Sequence, residues 1–363
     1  MLYALRSALG AIASLGLLVM LNTSVVVAAD SVHDVSSEVC GTCHKDIYQQ
    51  WAGSMHANST ALNDPIHATF YKKVVGDPLA EGVKMKNGKF PVCLQCHAPN
   101  AALEKSTKLD AKVAYREGVN CVACHTLKTF KGINAPNGKL QLGMKAYEVT
   151  DALQGPSGFT RGLQELKAGN DMFGGAPADD SAKPNPHLGE AVELDGKTIP
   201  SMPMEANAGL MRSNAACMGC HEKRSNAHGT PLCRTGNEYR TSNNFVSCQA
   251  CHMAIVSVPK MKDGEVVPGE MVNIPDHSMA GGHDGKMITR GLAMSMDTRR
   301  EGDTIKATLI VRNRLPHAYP TGAPFRNFFI RVATYDKDGK MLWKNYQVHP
   351  IKDDPKAAFW LTL

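Results

Sequence analysis

Alternation of apolar and polar residues marks the C-terminal end of the chain. From Ile305 to Val311 every second residue is apolar and most neighbours are polar, which predicts a strand with one covered face. Further strands are expected at 328–335, 341–348 and 358–363, with a turn at 336–339. A complete β-sandwich takes about seven strands and about 100 residues. Residues 299–363 therefore predict a small all-β, sandwich-like domain that is incomplete, either truncated or completed by another chain.

The preceding part of the chain has few periodic stretches. Ile47, Tyr48 and Trp51 recur at helical spacing, and a second short helix is expected over 112–117. The long interval from 126 to 216 is poor in regular structure, with a brief helix at 161–168 and a Gly- and Pro-rich loop at 169–186. Loops of this length serve as lids or wrap around an interior, and we expect the second role. The region 30–298 is thus predicted to be mostly α with extensive irregular structure.

The N-terminus has the pattern of a secretory signal peptide. Arg6 precedes an apolar stretch from Ala8 to Val27, and small residues follow at the expected cleavage point. We expect residues 1–29 to be removed, so that the mature chain begins at Asp30. A membrane anchor is the alternative, because about 20 apolar residues can span a bilayer. The expected location is the periplasm, with the outer-membrane surface or the extracellular space as alternatives.

Five copies of the pattern Cys-x-x-Cys-His indicate the chemistry of the chain. They are Cys40–Cys43–His44 (site 1), Cys93–Cys96–His97 (site 2), Cys121–Cys124–His125 (site 3), Cys217–Cys220–His221 (site 4) and Cys248–Cys251–His252 (site 5). In c-type haem attachment the two thiols form thioethers with the porphyrin, and the histidine binds iron as the proximal ligand. Zinc ribbons and disulfides also use paired cysteines, but neither needs a histidine directly after the second one. The sequence predicts five covalently bound haem c groups and leaves only Cys233 over.

Composition and charge agree with large cofactors. Aromatic residues make up only 6% of the chain, whereas it has 32 Gly and 20 Pro. Porphyrins can supply the apolar bulk that side chains otherwise provide. The formal charge of +6 does not indicate nucleic acid, because each oxidised haem adds about −1 and brings the holoprotein near neutrality. We expect redox proteins as partners and no nucleic acid.

Nine further histidines could supply the sixth, distal ligands of the irons. Methionine is a rival ligand, but bis-histidine ligation is usual where many haems pack closely. We rank the histidines by context, because glycines beside them let the backbone approach a flat ring. The first candidates are His56, His228, His277, His283 and His317, followed by His67 and His187, while His33 and His349 receive no role. From their spacing along the chain, sites 2 and 3 and sites 4 and 5 are expected to be neighbours.

Several segments resemble the cytochrome c-552/c-554-type multihaem family, which includes the tetrahaem electron acceptor of hydroxylamine oxidoreductase. The resemblance lies in residues 37–57, with Tyr48, Trp51, Ser54 and His56 after the first motif, and in residues 118–125. Residues 231–253 and 313–326 are similar to larger multihaem cytochromes and to a β-domain often appended to them. The resemblance implies an electron-transfer cytochrome in which His56 binds a haem other than that of its own motif. Five motifs rather than four, and the β-domain, depart from the tetrahaem pattern.

Three functions remain open from the sequence. The first is an electron carrier, because all five motifs end in His and none in the Lys found at the substrate haem of pentahaem nitrite reductases. The second is an enzyme with one open haem acting on a nitrogen or sulfur oxyanion, with Cys233 as a reactive thiol or as an inert buried one. The third is a subunit of an extracellular or outer-membrane conduit. A membrane quinol oxidase or reductase, an outer-membrane conduit and a second copy bound through the β-domain are the partners considered.

Overall fold

The computed structural model describes residues 31–157, 184–194, 196–222, 224–225, 229–262, 265–323 and 325–359. The expected signal peptide, the brief helix at 161–168, most of the loop at 169–186 and the candidate ligand His228 lie outside these residues. No helix in the described part of the chain is long and apolar enough to cross a bilayer.

Short helices dominate the first two thirds of the described chain. The described residues form helices α1 to α13, which are Ser37–Gly41, Lys45–Ala52, Pro65–Val74, Leu94–His97, Pro99–Leu103, Val113–Arg116, Cys121–His125, Ala208–Met211, Ala215–His221, Thr235–Thr241, Cys248–His252, Gly285–Arg290 and Pro350–Asp353. The predicted helices at 47–51 and 112–117 correspond to α2 and α6. Local caps explain several starts, because the Asn120 side chain accepts from Ala123 N at 2.9 Å and that of Ser247 accepts from Ala250 N at 3.2 Å.

The described strands pair two by two. Strands β1 to β16 are Leu127–Phe130, Tyr147–Val149, Leu153–Gly155, Val192–Leu194, Lys197–Ile199, Met204–Ala206, Arg224–Ser225, Pro231–Cys233, Ile255–Lys262, Glu265–Pro275, Leu292–Glu301, Thr304–Asn313, Phe328–Phe329, Ala333–Tyr335, Met341–Lys344 and Ala358–Phe359. The pairs are β1–β2, β3–β6, β4–β5, β7–β8, β9–β10, β11–β12, β13–β16 and β14–β15, and only β3–β6 is parallel.

The C-terminal strands differ from the expected sandwich. Strand β12 matches the alternating stretch, but its partner β11 begins at Leu292, so the expected boundary between 298 and 299 lies inside a strand. The hairpin β9–β10 was not predicted, because its sequence does not alternate cleanly. Within the described residues the C-terminal ladders stay two-stranded and do not form two packed sheets. The β-rich character is therefore right, whereas the sandwich architecture is not what these residues form.

Buried side chains concentrate in the N-terminal part. One apolar cluster surrounds Tyr71, Leu94 and Leu109, a second joins Val122 to Leu153, and a third surrounds Tyr147. Among the described residues after Glu222, only two glycines are buried. The side-chain core therefore lies under sites 1 to 4 and does not extend beneath the C-terminal ladders.

Candidate haem centres

The motifs of sites 2 to 5 lie on or at the start of the short helices α4, α7, α9 and α11. Residues i, i+3 and i+4 of a helix share a face, so both thiols and the histidine lie on one side. Site 1 differs, because Cys40 lies in α1, whereas Cys43 and His44 follow the end of α1 and lead into α2. The helix geometry therefore suits attachment of one planar group at sites 2 to 5.

Thiols of different sites lie close together. The largest influence on the thiol pKa is the partner thiol in three pairs, which are Cys40 with Cys121, Cys96 with Cys220 and Cys217 with Cys248. Site 1 is thus a neighbour of site 3, site 2 of site 4, and site 4 of site 5. The expected proximity of sites 4 and 5 agrees with these contacts, whereas the expected pair of sites 2 and 3 is not among them. Spacing along the chain misses this because residues of distant segments are brought together by tertiary packing.

At site 1, His44 faces His187. Their ring centroids are 5.9 Å apart, with 28° between the ring planes. His187 lies in a 3₁₀ turn at Pro186–Leu188, and its Nδ1 is 3.2 Å from the carbonyl of Met202. Two imidazoles that bind one metal from opposite sides, each through a bond of about 2 Å, have centroids roughly 6 Å apart. The pair therefore has the separation that a haem iron requires.

At site 3, His277 is near enough to His125 to affect its pKa. Burial lowers the pKa of His125, and repulsion from His277 and His187 acts in the same direction. The His277 backbone N–H donates to the side chain of Gln50 on α2 at 2.9 Å, and its Nδ1 is 2.8 Å from the carbonyl of Pro275. Gln50, which the sequence did not single out, thus holds the end of β10 against the N-terminal part.

At site 4, His56 faces His221 with ring centroids 6.0 Å apart and planes at 81°. Burial lowers the pKa of His56 to about 3 and that of His221 to about 4. The His56 carbonyl accepts from Val119 N at 2.9 Å, which fixes the segment that carries this histidine.

At site 5, His252 faces His317 with ring centroids 6.4 Å apart and planes at 23°. Their Nδ1 atoms lie 2.6 Å from the carbonyl of Ala280 and 2.9 Å from that of Ala318, respectively. The His317 loop is held by Glu238 of α10, whose carboxylate accepts from Ala318 N at 3.1 Å. Glu238 is a second supporting residue that no motif indicated.

Site 2 is different, because His67 and His97 are too close to hold an iron between them. Their ring centroids are 4.0 Å apart, and both Nδ1 atoms lie 2.9 Å from the carbonyl of Ser59. Burial lowers the pKa of His67 to about 4, and repulsion from His97 adds to it. The Nε2 of His67 is buried without a hydrogen-bond partner. A haem iron at this site needs either a rearranged His67 or an open sixth position.

The residues fit haem iron. A backbone carbonyl can only accept, so each Nδ1 beside one must carry the proton, and Nε2 keeps the lone pair that binds metal. This arrangement is found at His67, His97, His125, His187, His252, His277 and His317. Among the described residues no three His, Cys, Asp or Glu side chains converge on one point as in a zinc site. Facing histidines with anchored Nδ1 atoms are the donor set of six-coordinate haem.

One of the first candidates, His283, lies apart from these pairs. His283 is exposed in a turn, and no other described histidine ring faces it. His187 and His67, which the sequence ranked second, lie at the sites instead, because folding brings distant segments there. Cys233 lies in strand β8 and near Cys96, and burial raises the pKa of its thiol. A raised thiol pKa disfavours the reactive thiolate.

Comparisons with known proteins agree with this geometry. The family described as cytochrome c554 and c-prime matches residues 39–126. Among solved structures, a penta-heme cytochrome c552 from Thermochromatium tepidum matches with 52% identity and a TM-score of 0.78. The match covers 91% of this chain and 79% of that chain. No curated protein matches the chain.

Proposed function

The chain belongs to the multihaem cytochrome c family of the penta-heme cytochrome c552, and from this premise we propose that it is an exported pentahaem electron carrier. Haem c supplies reversible one-electron chemistry when bound. The ten cysteines of sites 1 to 5 attach the five groups, and His44, His97, His125, His221 and His252 are the proximal ligands. Export through the N-terminal segment fits attachment chemistry outside the cytoplasm.

The observation that carries the proposal is the second histidine beside each motif histidine. His187, His277, His56 and His317 are our distal ligands for sites 1, 3, 4 and 5. An iron closed on both sides by imidazole has no position for a substrate, and its low reorganisation favours electron exchange. The carbonyls at Nδ1 hold the rings in place and raise their basicity.

The thiol contacts support a branched order of sites. Site 3 is linked to site 1 through Cys121 and Cys40, and site 4 is linked to sites 2 and 5 through Cys220 and Cys217. Cys124 of site 3 also contributes to the raised pKa of the Cys217 and Cys220 thiols, so sites 3 and 4 are near each other. We propose that site 4 is the junction, with sites 1, 2 and 5 as the ends. Three ends allow a protein donor and a protein acceptor to contact different surfaces.

The partners we propose are redox proteins, with a membrane quinol oxidase or reductase as one source of electrons. A subunit of an outer-membrane or extracellular conduit remains a narrower version of the same function. Both versions need electron exchange at the protein surface, and the second also needs contacts between copies or with a membrane complex. Sedimentation of the holoprotein distinguishes them, because a free carrier stays monomeric.

Electron paramagnetic resonance of the oxidised holoprotein tests the ligands. We expect low-spin signals from sites 1, 3, 4 and 5, and a mass that corresponds to five attached haems. The variant His187→Ala should convert one low-spin signal to high spin, because it removes the ligand opposite His44. The matched variant His283→Ala should leave the spectrum unchanged. A spectrum that responds to His283 and not to His187 contradicts our assignment.

Kinetics test the carrier function. The reduced holoprotein should pass electrons to a protein acceptor rapidly and reduce nitrite or hydroxylamine slowly. Rapid mixing with each oxidant in turn compares the two rates. Faster oxidation by a small nitrogen or sulfur substrate than by any protein acceptor contradicts a carrier.

The second candidate function is an enzyme with its open haem at site 2. The specific observation is the 4.0 Å separation of His67 and His97, which leaves no room for iron between the rings. Ferrous holoprotein should then bind nitric oxide at one haem only. In His97→Met that haem should change its spectrum, whereas His44→Met should leave nitric oxide binding intact. Absence of any binding supports the carrier alone.

A further inference from the structure

Glu117 connects sites 1 and 3. Its carboxylate accepts from Ser36 Oγ at 2.5 Å and from Ser37 N at 2.9 Å, and both donors lie at the start of α1. It also accepts from Asn120 Nδ2 at 3.2 Å. Asn120 caps α7, which carries Cys121. One carboxylate thus joins the helix of Cys40 to the helix of Cys121.

The packing around this carboxylate is tight. Ser37 and Asn120 are fully buried, and the Cys121 N–H donates to Ser37 Oγ at 3.5 Å. The next residues also hold α2, because Trp51 Nε1 donates to the carbonyl of Val119 at 2.9 Å. Glu117 therefore belongs to a rigid connection between the two attachment segments.

Among the described residues, no cation forms a salt bridge with Glu117. Its described partners are two serines and an asparagine. Its negative charge lies beside both attachment segments, because the carboxylate contacts Ser36 and Ser37 at the start of α1 and Asn120 directly before Cys121. A fixed negative charge near a haem stabilises the ferric form relative to the ferrous form.

We propose that Glu117 is a positioning residue that ties sites 1 and 3 together and lowers the reduction potentials of the two haems they hold. The inference rests on the proposed function only in that it assumes haem at these two sites. It assigns the low-potential end of the branched order to sites 1 and 3. Electrons would then run from this end towards site 4.

Redox titration of the holoprotein, followed haem by haem with magnetic resonance, tests the inference. Glu117→Gln keeps the shape and one of the two acceptor oxygens but removes the charge, so two of the five midpoints should shift upward. Glu117→Asp keeps the charge, so its midpoints should stay close to those of the wild-type protein. The signals of site 1 are identified with His187→Ala.

The matched control is Glu81→Gln. Glu81 also accepts from a hydroxyl and from backbone N–H groups, at Ser106, Thr107 and Lys108, but it joins no two attachment helices. The variant Glu81→Gln should leave the midpoints of the haems at sites 1 and 3 unchanged. Unchanged midpoints in Glu117→Gln, or an equal shift of all five, overturn the inference. Neither result affects the carrier proposal, because wild-type kinetics test that proposal separately.

Discussion

The described regions 31–222 and 229–359 differ in how they exclude water. The first contains all three apolar clusters and every buried large side chain of the described chain. In the second, apolar residues such as Ile305 and Met294 are more than half exposed. Yet the second region supplies His252, His277 and His317, all of which lie at sites. A region without its own side-chain core thus contributes three of the nine histidines that we propose as iron ligands.

The difference teaches that the cofactor can replace a core. A haem held by His252 and His317, as we propose for site 5, would bury apolar surface that side chains of this region do not cover. The N-terminal region has both side-chain clusters and haem sites, so its fold has two sources of stability. The C-terminal region has no such side-chain cluster among its described residues, so we expect it to depend more on haem for its stability. The predictions below test that dependence from the largest expected effect to the smallest.

Removing the attachment at site 5 should have the largest effect. In the double variant C248A/C251A we expect amide hydrogens of residues 255–313 to lose protection, because no buried side chain remains to hold them. Protection around Leu94 and Tyr115 should persist. Hydrogen exchange with mass spectrometry gives both readings. The control Cys233→Ala removes a thiol without an attachment role and should change neither region. Equal loss of protection in both regions contradicts the comparison.

A core truncation should separate the regions by stability. Leu94 is fully buried, so Leu94→Ala should cost about 2–5 kcal/mol through lost contacts and a cavity. Ile305 is 61% exposed, so Ile305→Ala should stay within about 0.5 kcal/mol. Denaturant unfolding of the oxidised holoprotein measures both. A cost at Ile305 that matches the cost at Leu94 indicates that the hairpin has a covered face in solution.

Two glycines with positive φ provide the third test. An added Cβ at Gly118 would lie 2.3 Å from the carbonyl of His56, whereas at Gly302 it would meet no atom within 4 Å. We expect Gly302→Ala to cost about 1 kcal/mol from backbone strain alone. Gly118→Ala should cost more and also disturb the low-spin signal of site 4, because it displaces His56. Unfolding and magnetic resonance check the two effects, and an undisturbed signal would separate Gly118 from site 4.

Acid should have the smallest effect, and mainly on the N-terminal region. Burial lowers the pKa of His33 below its ordinary 6.5, while nearby Asp151 partly opposes this. The unfolded chain therefore binds a proton more readily than the folded chain, so stability present above pH 6.5 is lost as pH falls below it. In His33→Gln this part of the pH dependence should vanish. The test is to measure the free energy of unfolding of the wild-type protein and of His33→Gln at pH 8 and at lower pH. If the free energy of unfolding changes equally with pH in both proteins, His33 does not cause this pH dependence.

Part of the fold could be read from local patterns. Helices α2 and α6 and strand β12 follow from periodicity, because each is stabilised by the spacing of its own residues. The hairpin β9–β10 could not be read in this way, since its residues are largely exposed and need no alternation. The neighbours of each site also could not be read. Sites 1 and 3 meet although Cys40 and Cys121 are 81 positions apart in the sequence.

The sequence alone determined the kind of cofactor and predicted its attachment residues and motif histidines, because thioether chemistry requires fixed residue types at fixed spacing. Only the tertiary structure decided which histidine faces which. His187 and His67 looked secondary along the chain and His283 looked primary, yet the first two lie beside motif histidines and the third lies in solvent. A ligand opposite a motif comes from a segment that folding brings there, held by contacts such as those of Gln50 and Glu238. These contacts leave no periodic trace, because each is made between residues far apart in the chain.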